Sequence, residues 1–473
     1  MISFILNDSD YTTSLPPGAS TLDLLRGEAL LTGTREGCRE GDCGACTVLL
    51  GIPVDTGTEY MALNSCILPV AELQGRHLVT IEGITPEQGL SAVQEAFVDE
   101  GASQCGFCTP GMVMSITGYL LSTQSPDLEA AIDSLGGNIC RCTGYVSVRS
   151  AAGEIVGRTG PSPAVDPASA RHLEFLVEKN VIPGYFLGIR DRLRSMRGPG
   201  TGDGHGTGIP VAGGTDLFAA GGPGLRDSTM EFLLNDSSLG GIETADGWVR
   251  LGAAVTVSRL ISSGVFRGMG DLQGSLRLVS STQVRNRATI GGNIVNASPI
   301  GDLAIILLAL RAYIETGRGP GGSRRLALRD LYLGYKELDL RKGEIISAVS
   351  FPAHEPSRGY SFEKVSMRRH LDIASVNSAA AILVSEGTIR EADISAGGVA
   401  PVPLYLSDTS AMLAGMPVTA DTVQSAAESA MGEASPIDDV RGSARYKRVL
   451  LGRLVKSHFL KLFPGILDPA ALL

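Results

Sequence analysis

The stretch Arg35-Glu-Gly-Cys38-Arg-Glu-Gly-Asp-Cys43-Gly-Ala-Cys46-Thr-Val-Leu49 constrains this chain more than any other. It sets three thiols in the spacing C-x4-C-x2-C, and Cys66 follows as a fourth. Four thiolates in that spacing hold a two-iron, two-sulfur centre of the plant type. Soft thiolates suit iron, and the interleaved Gly37, Gly41 and Gly44 suit a loop that wraps tightly and must reach positive φ. Backbone N–H groups turned toward the sulfurs would offset the negative charge of such a centre. Structural zinc is the competing reading, but zinc usually takes two C-x2-C knuckles, a pattern this spacing does not have.

A second set of thiols follows. Gln104-Cys105-Gly-Phe-Cys108-Thr-Pro-Gly111 and Gly137-Asn-Ile-Cys140-Arg-Cys142-Thr-Gly-Tyr145 lie among segments of helical periodicity. Leu90, Val93, Ala96 and Phe97 recur at three and four residues, as do Met112, Ile116, Tyr119 and Leu120. Either pair alone reads as well for zinc. Together, after a complete first set, Cys105, Cys108, Cys140 and Cys142 point to a second cluster and leave none of the eight cysteines over. Helix starts at Thr109-Pro110 and after Thr143 would turn backbone dipoles toward it. All eight cysteines precede residue 143, which favours metal over a disulfide framework.

At 473 residues the chain predicts about three domains. A net charge of −10 with no block of lysine or arginine argues against nucleic acid as a partner. Met1–Asp8 lacks the basic and apolar regions of a signal peptide, and the apolar run Leu303–Leu310 stops at Arg311, too short for a membrane helix. The expectation is a cytoplasmic protein with no membrane contact. The six histidines show no metal-ligand spacing.

Residues 2–6, 47–50 and parts of 60–81 read as strands and Thr21–Arg26 as a short helix, a small mixed sheet over about 1–84. Thr159–Pro167 has the proline, glycine and serine of an exposed linker. Glycine-rich Arg197–Gly208 reads as a mobile loop. Then Ile209-Pro-Val211-Ala212-Gly213-Gly214-Thr215-Asp216-Leu217 reads as a strand and a tight turn whose N–H groups could take a pyrophosphate, or as an ordinary hairpin. It is not G-x-G-x-x-G, so no Rossmann fold is expected. A second such stretch runs from Ala288 through Thr289, Gly291, Gly292, Asn293 and Asn296 to Asp302. Asp302 could accept from ribose or adenine donors, or merely cap the helix after it. Asp439–Val455 reads as an amphipathic, arginine-rich helix.

The wordings EGDCGACTVL, QCGFCTPGM and NICRCTGY resemble the iron–sulfur part of molybdenum hydroxylases over about residues 1–157. VAGGTDL, LGAAVT and TIGGNIVNASPIGDLA resemble the flavin domain of the xanthine and carbon monoxide dehydrogenases in that family. The resemblance implies an α+β multidomain fold. A β-grasp ferredoxin-like domain would span 1–84 and a four-helix 2Fe-2S bundle 85–158. A linker (159–170), an FAD-binding α+β domain (171–355) and a C-terminal α+β flavoprotein domain (356–473) would follow.

It also implies roles. Val211–Leu217 would hold the FAD pyrophosphate, and Thr289–Asp302 the rest of the phosphate and the flavin. Ile346 would pack on the flavin ring and Lys364 would bond a flavin carbonyl, although without the resemblance Lys364 reads as a surface lysine. Gln104 and Cys142 would lie near the molybdopterin of a partner. No segment is left for the very large molybdenum-binding domains, so a separate large molybdopterin subunit is implied, in a dimer of heterodimers, with NAD as acceptor. The substrate chemistry, and with it every catalytic residue, would then belong to that partner. A hydroxylase for another heterocycle, a stand-alone electron-transfer flavoprotein and a zinc scaffold are the alternatives.

Overall fold

The computed structural model describes residues 1–196, 208–221, 224–318, 322–368 and 370–472, so the expected loop at 197–208 lies, but for Gly208, outside the described residues. The chain divides into two units. The first comprises Met1–Phe232 and Ser281–Arg287; the second comprises Leu233–Ser280 and Ala288–Leu473.

The first unit opens with a five-stranded sheet in the order β2-β1-β5-β3-β4, from β1 (Ile2–Leu6), β2 (Ser9–Thr13), β3 (Thr47–Pro53), β4 (Thr58–Asn64) and β5 (His77–Val79). β1 and β5 run parallel and the other pairs antiparallel. A helical segment, α1 (Thr21–Asp23) continued by Leu24–Glu28, buries Leu24 and Leu25 with Phe4, Val48 and Leu50 on one face of this sheet. The other face, through Leu49, Tyr60 and Val79, enters a second core with the helices that follow. Burial on both faces explains why Val48–Leu50 reads as an unbroken apolar run instead of an alternation.

After the short α2 (Ile81–Ile84) come the four bundle helices α3 (Ala92–Asp99), α4 (Thr109–Ser122), α5 (Leu128–Ser134) and α6 (Val146–Thr159). Ser91 and Gln94 form a capping box at α3, and Pro110 occupies the first turn of α4, where no N–H is needed. Phe97, Met112, Ile116, Leu120, Val148 and Ile155 meet inside.

Residues from 171 onward were expected to open the flavin domain. Instead α7 (Ala170–Glu178) puts Leu173 and Leu176 into the bundle core, and α8 (Ile189–Met196) packs Ile189 and Leu193 on Ile5. The amphipathic pattern of α7 and α8 named an apolar face but not its partner. Nor is the expected linker a free tether. Ser162 N–H donates to the Gln124 carbonyl at 2.7 Å, and Thr58 N–H donates to the Ala168 carbonyl at 3.1 Å. The unit closes with the parallel pair β6 (Ile209–Val211) and β7 (Met230–Phe232), the former followed by α9 (Thr215–Ala220).

The second unit holds two antiparallel sheets. One runs β11-β10-β14-β9-β8, from β8 (Ile242–Ala245), β9 (Trp248–Gly252), β10 (Tyr313–Gly317), β11 (Arg325–Ala327) and β14 (Ile345–Pro352); β12 (Tyr332–Gly334) and β13 (Glu337–Leu338) form a small hairpin. The other is β15 (Arg358–Val365), β16 (Val376–Ser385), β17 (Thr388–Gly397) and β18 (Leu404–Tyr405) in sequence order. Around the first sheet lie α10 (Val257–Ser263), α11 (Leu272–Ser275), α13 (Ile290–Asn296) and α14 (Asp302–Ala309), while the short α12 (Thr282–Arg285) belongs to the first unit. All eight residues of α14 are buried, which accounts for its apolar run. No described helix is long and apolar enough to cross a membrane. α15 (Ser407–Leu413), α16 (Ala420–Glu433) and α17 (Ala444–Leu462) cover the second sheet. Lys447, inside the expected basic tail helix, is buried and paired with Asp439 at 2.6 Å.

Each unit buries a neutral histidine. His77 lies between the Tyr60 hydroxyl and the Asn7 carbonyl, both at 2.8 Å, and His458 between Ser361 and Ser378 at 2.9 and 3.0 Å. Burial pushes both imidazoles down to about 3. The unfolded chain binds these protons near 6.5 and the folded chain does not, so stability is full above that pH and falls as pH drops from about 6.5 toward 3. Each histidine adds a slope of up to about 1.4 kcal/mol per pH unit. Denaturant midpoints measured from pH 7 down to about 5, before carboxylates titrate, will fall, and less steeply in His458→Gln. A flat profile contradicts this account.

Candidate metal and flavin sites

The first cysteine loop spans the gap between the helical segment after β2 and the start of β3. Gly41 and Gly44 there adopt φ of +82° and +67°, and the loop turns its amides inward. Cys38 Sγ accepts from Glu40 N–H at 3.3 Å and from Cys43 N–H at 3.4 Å, while Cys43 Sγ accepts from Cys38 N–H at 3.4 Å. The Cys43 thiol and then these amides hold Cys38 at about 4, against burial; Cys43 is pushed up by the same pairing. Cys46 immediately precedes β3, and Cys66 lies in the turn Ser65–Ile67 just after β4. Both are buried side by side, with Cys46 lowered by its bond to Cys66 and Cys66 raised by it. The field of Cys38 is felt at both.

In the second set Cys142 Sγ lies 3.6 Å from Cys105 Sγ, and Cys108 at the start of α4 pairs with Cys140. Burial, then Cys140, raises Cys108 to about 12. Against burial, Thr143 and nearby amides hold Cys140 at about 7, its Sγ 3.2 Å from Thr143 Oγ1. α6 starts after Tyr145, as expected, and Tyr145 at φ +65° returns its hydroxyl to accept from Cys140 N–H at 2.8 Å.

Among the described residues no three His, Cys, Asp or Glu side chains converge as a single ion would require. The thiols of each set stand two and two. That division suits two irons sharing four thiolates, and inward amides suit an anionic centre. A mononuclear zinc cage needs four donors on one point, which neither set offers.

The two loops touch. Ile139 N–H donates to the Cys43 carbonyl at 3.0 Å, and Asn138 Nδ2 to the Gly44 carbonyl at 3.0 Å. A Cβ on Gly44 would lie 2.2 Å from the Gly137 carbonyl oxygen, so only glycine permits the approach. Asn138 Oδ1 accepts from Ser115 Oγ at 2.7 Å and from Gln283 Nε2 at 3.1 Å. Sequence reasoning missed Asn138, Ser115 and Gln283. Asn138 stood inside a quoted motif, but Gln283 carried no local signal.

The expected flavin residues divide between the units. In the first, Val211 ends β6, Ala212 and Gly213 make the turn, Gly214 has φ +73°, and Thr215, Asp216 and Leu217 begin α9. In the second, Thr289 caps α13 by accepting from Gly292 N–H at 3.1 Å. Gly291 is needed for packing: its N–H donates to the Ala253 carbonyl at 2.9 Å, and a Cβ would lie 2.8 Å from that of Ala253. Asn293 Oδ1 is buried without a donor, as is Asn377 Oδ1, and such acceptors suit a ligand bearing N–H or O–H groups. Asn296 Oδ1 takes Lys336 Nζ at 2.8 Å, and Ile346 is buried in the main core of the unit.

Two expectations need correction. Lys364 is no surface lysine, and the Asp302 carboxylate is not left open for ribose or adenine. Lys364 Nζ binds Asp302 Oδ2 at 2.6 Å and the Leu278 carbonyl at 2.9 Å, while Asn377 donates to Asp302 Oδ1 at 2.5 Å. A buried carboxylate with no cation beside it would be far costlier than this pair. Burial raises the Asp302 pKa, with Lys364 and Asn377 pulling against it.

Known domain families match this chain in order: a 2Fe-2S iron–sulfur cluster binding domain over 4–71, a [2Fe-2S] binding domain over 80–153, an FAD binding domain in molybdopterin dehydrogenase over 204–354 and a CO dehydrogenase flavoprotein C-terminal domain over 361–462. The chain belongs to the molybdenum hydroxylase family, as its iron–sulfur and flavin portion. Among its relatives are xanthine dehydrogenase from Oryza sativa subsp. japonica, 29% identical over 85% of this chain and 35% of its own length, and xanthine dehydrogenase/oxidase from Rattus norvegicus, 28% identical over 85% and 34%. The chain thus spans about a third of these relatives. A carbon monoxide dehydrogenase chain from Hydrogenophaga pseudoflava matches at TM-score 0.50 and 28% identity over 54% of this chain and 89% of that one. One from Oligotropha carboxidovorans matches at 0.50 and 27% over 54% and 88%.

Cys43→Ser will remove one of two iron-based paramagnetic signals and about half the iron, one centre of two, while FAD is retained. Full iron and both signals would contradict the assignment. Asp302→Ala, which strands the Lys364 ammonium, will cost about 3–5 kcal/mol in denaturant unfolding, and Asp302→Ala with Lys364→Met much less.

Proposed function

We propose that this chain is the electron-transfer subunit of a xanthine dehydrogenase. It carries electrons from a large molybdopterin subunit through two 2Fe-2S clusters and FAD to NAD, during oxidation of hypoxanthine and xanthine to urate. The clusters supply one-electron steps, and the flavin joins them to a two-electron acceptor. The chain's own part is to hold these groups, order them and exclude water from the inner ones.

The observation that carries this reading is the difference in exposure between the two thiol sets. Cys46 and Cys66 are buried, whereas Cys105 and Cys142 are exposed. Around the exposed pair stand Phe107, Ile139, Tyr145 and Val146, all large, apolar or aromatic and exposed. Gln104 is exposed beside them. Exposed apolar side chains clustered at a redox centre fit a docking face, and on this reading the molybdopterin subunit covers it, with Gln104 and Cys142 nearest the pterin. The inner set then stands next in line toward the flavin. Similarity to xanthine dehydrogenases over 85% of the chain supports xanthine as the substrate.

On this reading the chain forms a ferredoxin-like domain (1–84), a helical 2Fe-2S domain (85–158) with α7 and α8 packed on these two, an FAD-binding domain that ends at 355 and a C-terminal flavoprotein domain (356–473), in a cytoplasmic dimer of heterodimers. FAD is held by Val211–Leu217, Thr289, Gly291, Gly292, Asn293, Asn296, Ile346 and Lys364, with Asp302 holding Lys364 in place. The likeness to carbon monoxide dehydrogenase chains favours one second reading, the corresponding subunit of a hydroxylase with another substrate.

The complex purified through a tag on this chain will contain a large partner, molybdenum, iron and FAD, and will reduce NAD with xanthine. Reduction with another heterocycle, an aldehyde or carbon monoxide but not xanthine selects the second reading. NADH–dye reductase activity from a preparation with no partner and no molybdenum overturns both.

A further inference from the structure

Glu72 and Arg287 lie far apart in sequence and are both almost wholly buried in the first unit. Arg287 Nη1 is 3.3 Å from Glu72 Oε2, and Arg76 Nη1 is 2.6 Å from the same oxygen. Burial pushes the Glu72 carboxyl up, but the two guanidiniums outweigh it and leave its pKa lowered. The second contact of Arg287 is unusual. Its Nε donates to the carbonyl of Gly213 at 3.0 Å, inside the glycine turn, and its Nη2 is buried with no protein partner. Gly214 follows in the left-handed region at φ +73°.

Two physical consequences follow. Holding the Gly213 oxygen inward fixes the orientation of the Gly213–Gly214 peptide plane, so the amide of Gly214 must point away from Arg287. The group behind the turn is one carboxylate against two guanidiniums, a net positive charge in a poorly hydrated place, which favours an anion in front of the turn. Stability alone does not account for the arrangement, because apolar side chains of similar size usually replace a buried ion pair without loss.

We propose that Arg287 is the positioning residue of the phosphate-binding turn. It fixes the Gly213 carbonyl and, through Glu72, ties the diphosphate end of the flavin nucleotide to the ferredoxin-like domain. This rests on the reading of Val211–Leu217 as the pyrophosphate site. It adds a residue outside that motif, anchored by the domain that carries the first cluster.

The test uses the purified chain with both clusters in place, reversibly stripped of FAD, and reads FAD affinity by flavin fluorescence. Iron content and paramagnetic signals are read alongside. Arg287→Met will weaken FAD about tenfold or more, the size of one lost charged hydrogen bond, with both signals intact. Arg287→Lys, which can reach Glu72 or Gly213 but lacks the fork to hold both, will keep most of the thermal stability and not the affinity. Glu72 keeps Arg76 in Arg287→Met, so that variant strands no buried carboxylate. Wild-type FAD affinity in Arg287→Met overturns the proposal, and so does wild-type affinity in Arg287→Lys. Wild-type chain that binds no FAD sinks the flavin reading itself.

Discussion

A single buried amide, Asn138, joins the parts of the first unit that carry its chemistry. Its Nδ2 donates to the Gly44 carbonyl in the first cysteine loop, and its Oδ1 accepts from Ser115 on α4 and from Gln283. An amide sealed from water must find these partners, and leaving one unmet costs about 1–3 kcal/mol. Both polar atoms of the Asn138 side chain are met in this arrangement, and it brings the loops together. Two residues before Cys140, Asn138 also sets the Ile139 N–H against the Cys43 carbonyl. The backbones holding the two sulfur sets are thus one hydrogen bond apart, a short connection for the electron transfer proposed here.

Buried charge is handled in both units by matching, and the balance differs in an instructive way. Glu72 faces two guanidiniums and is held below its ordinary pKa. Asp302 faces one ammonium and an amide, and burial wins, so its pKa is raised. Each buried charge is tolerated because a partner of opposite sign lies within hydrogen-bonding distance, and each would be costly alone. Both sets sit at or next to the glycine-rich stretches proposed to hold the nucleotide, and a charged ligand there would need a fixed, dry and polar environment.

The sulfur sets were legible from sequence because ligand spacing is local. Cys38, Cys43 and Cys46 need only a short loop with glycine at the left-handed positions, and C-x2-C at a helix start places Cys105 and Cys108. The helical periodicity between Leu90 and Leu120 was legible for the same reason, since the pattern repeats within a few turns. Less could be said of partners. The amphipathic α7 and α8 displayed an apolar face without naming the surface it covers, and that surface proved to be the bundle and β1. Lys364 and Asp302 were each read as facing a ligand, because nothing in either neighbourhood reveals that they face one another.

The residues themselves thus determined which chemistry this protein can hold: eight thiols in two spacings, glycine turns suited to phosphate, and strands and helices of the right period. Only the tertiary structure decided that Ser281–Arg287 leaves the second unit to supply Gln283 and Arg287 to the first. The reason is range. Backbone conformation and ligand spacing are settled by neighbours a few residues away. The partners of a buried amide or guanidinium are settled by whichever distant segments fill the same dry volume, and a one-dimensional pattern carries no record of those.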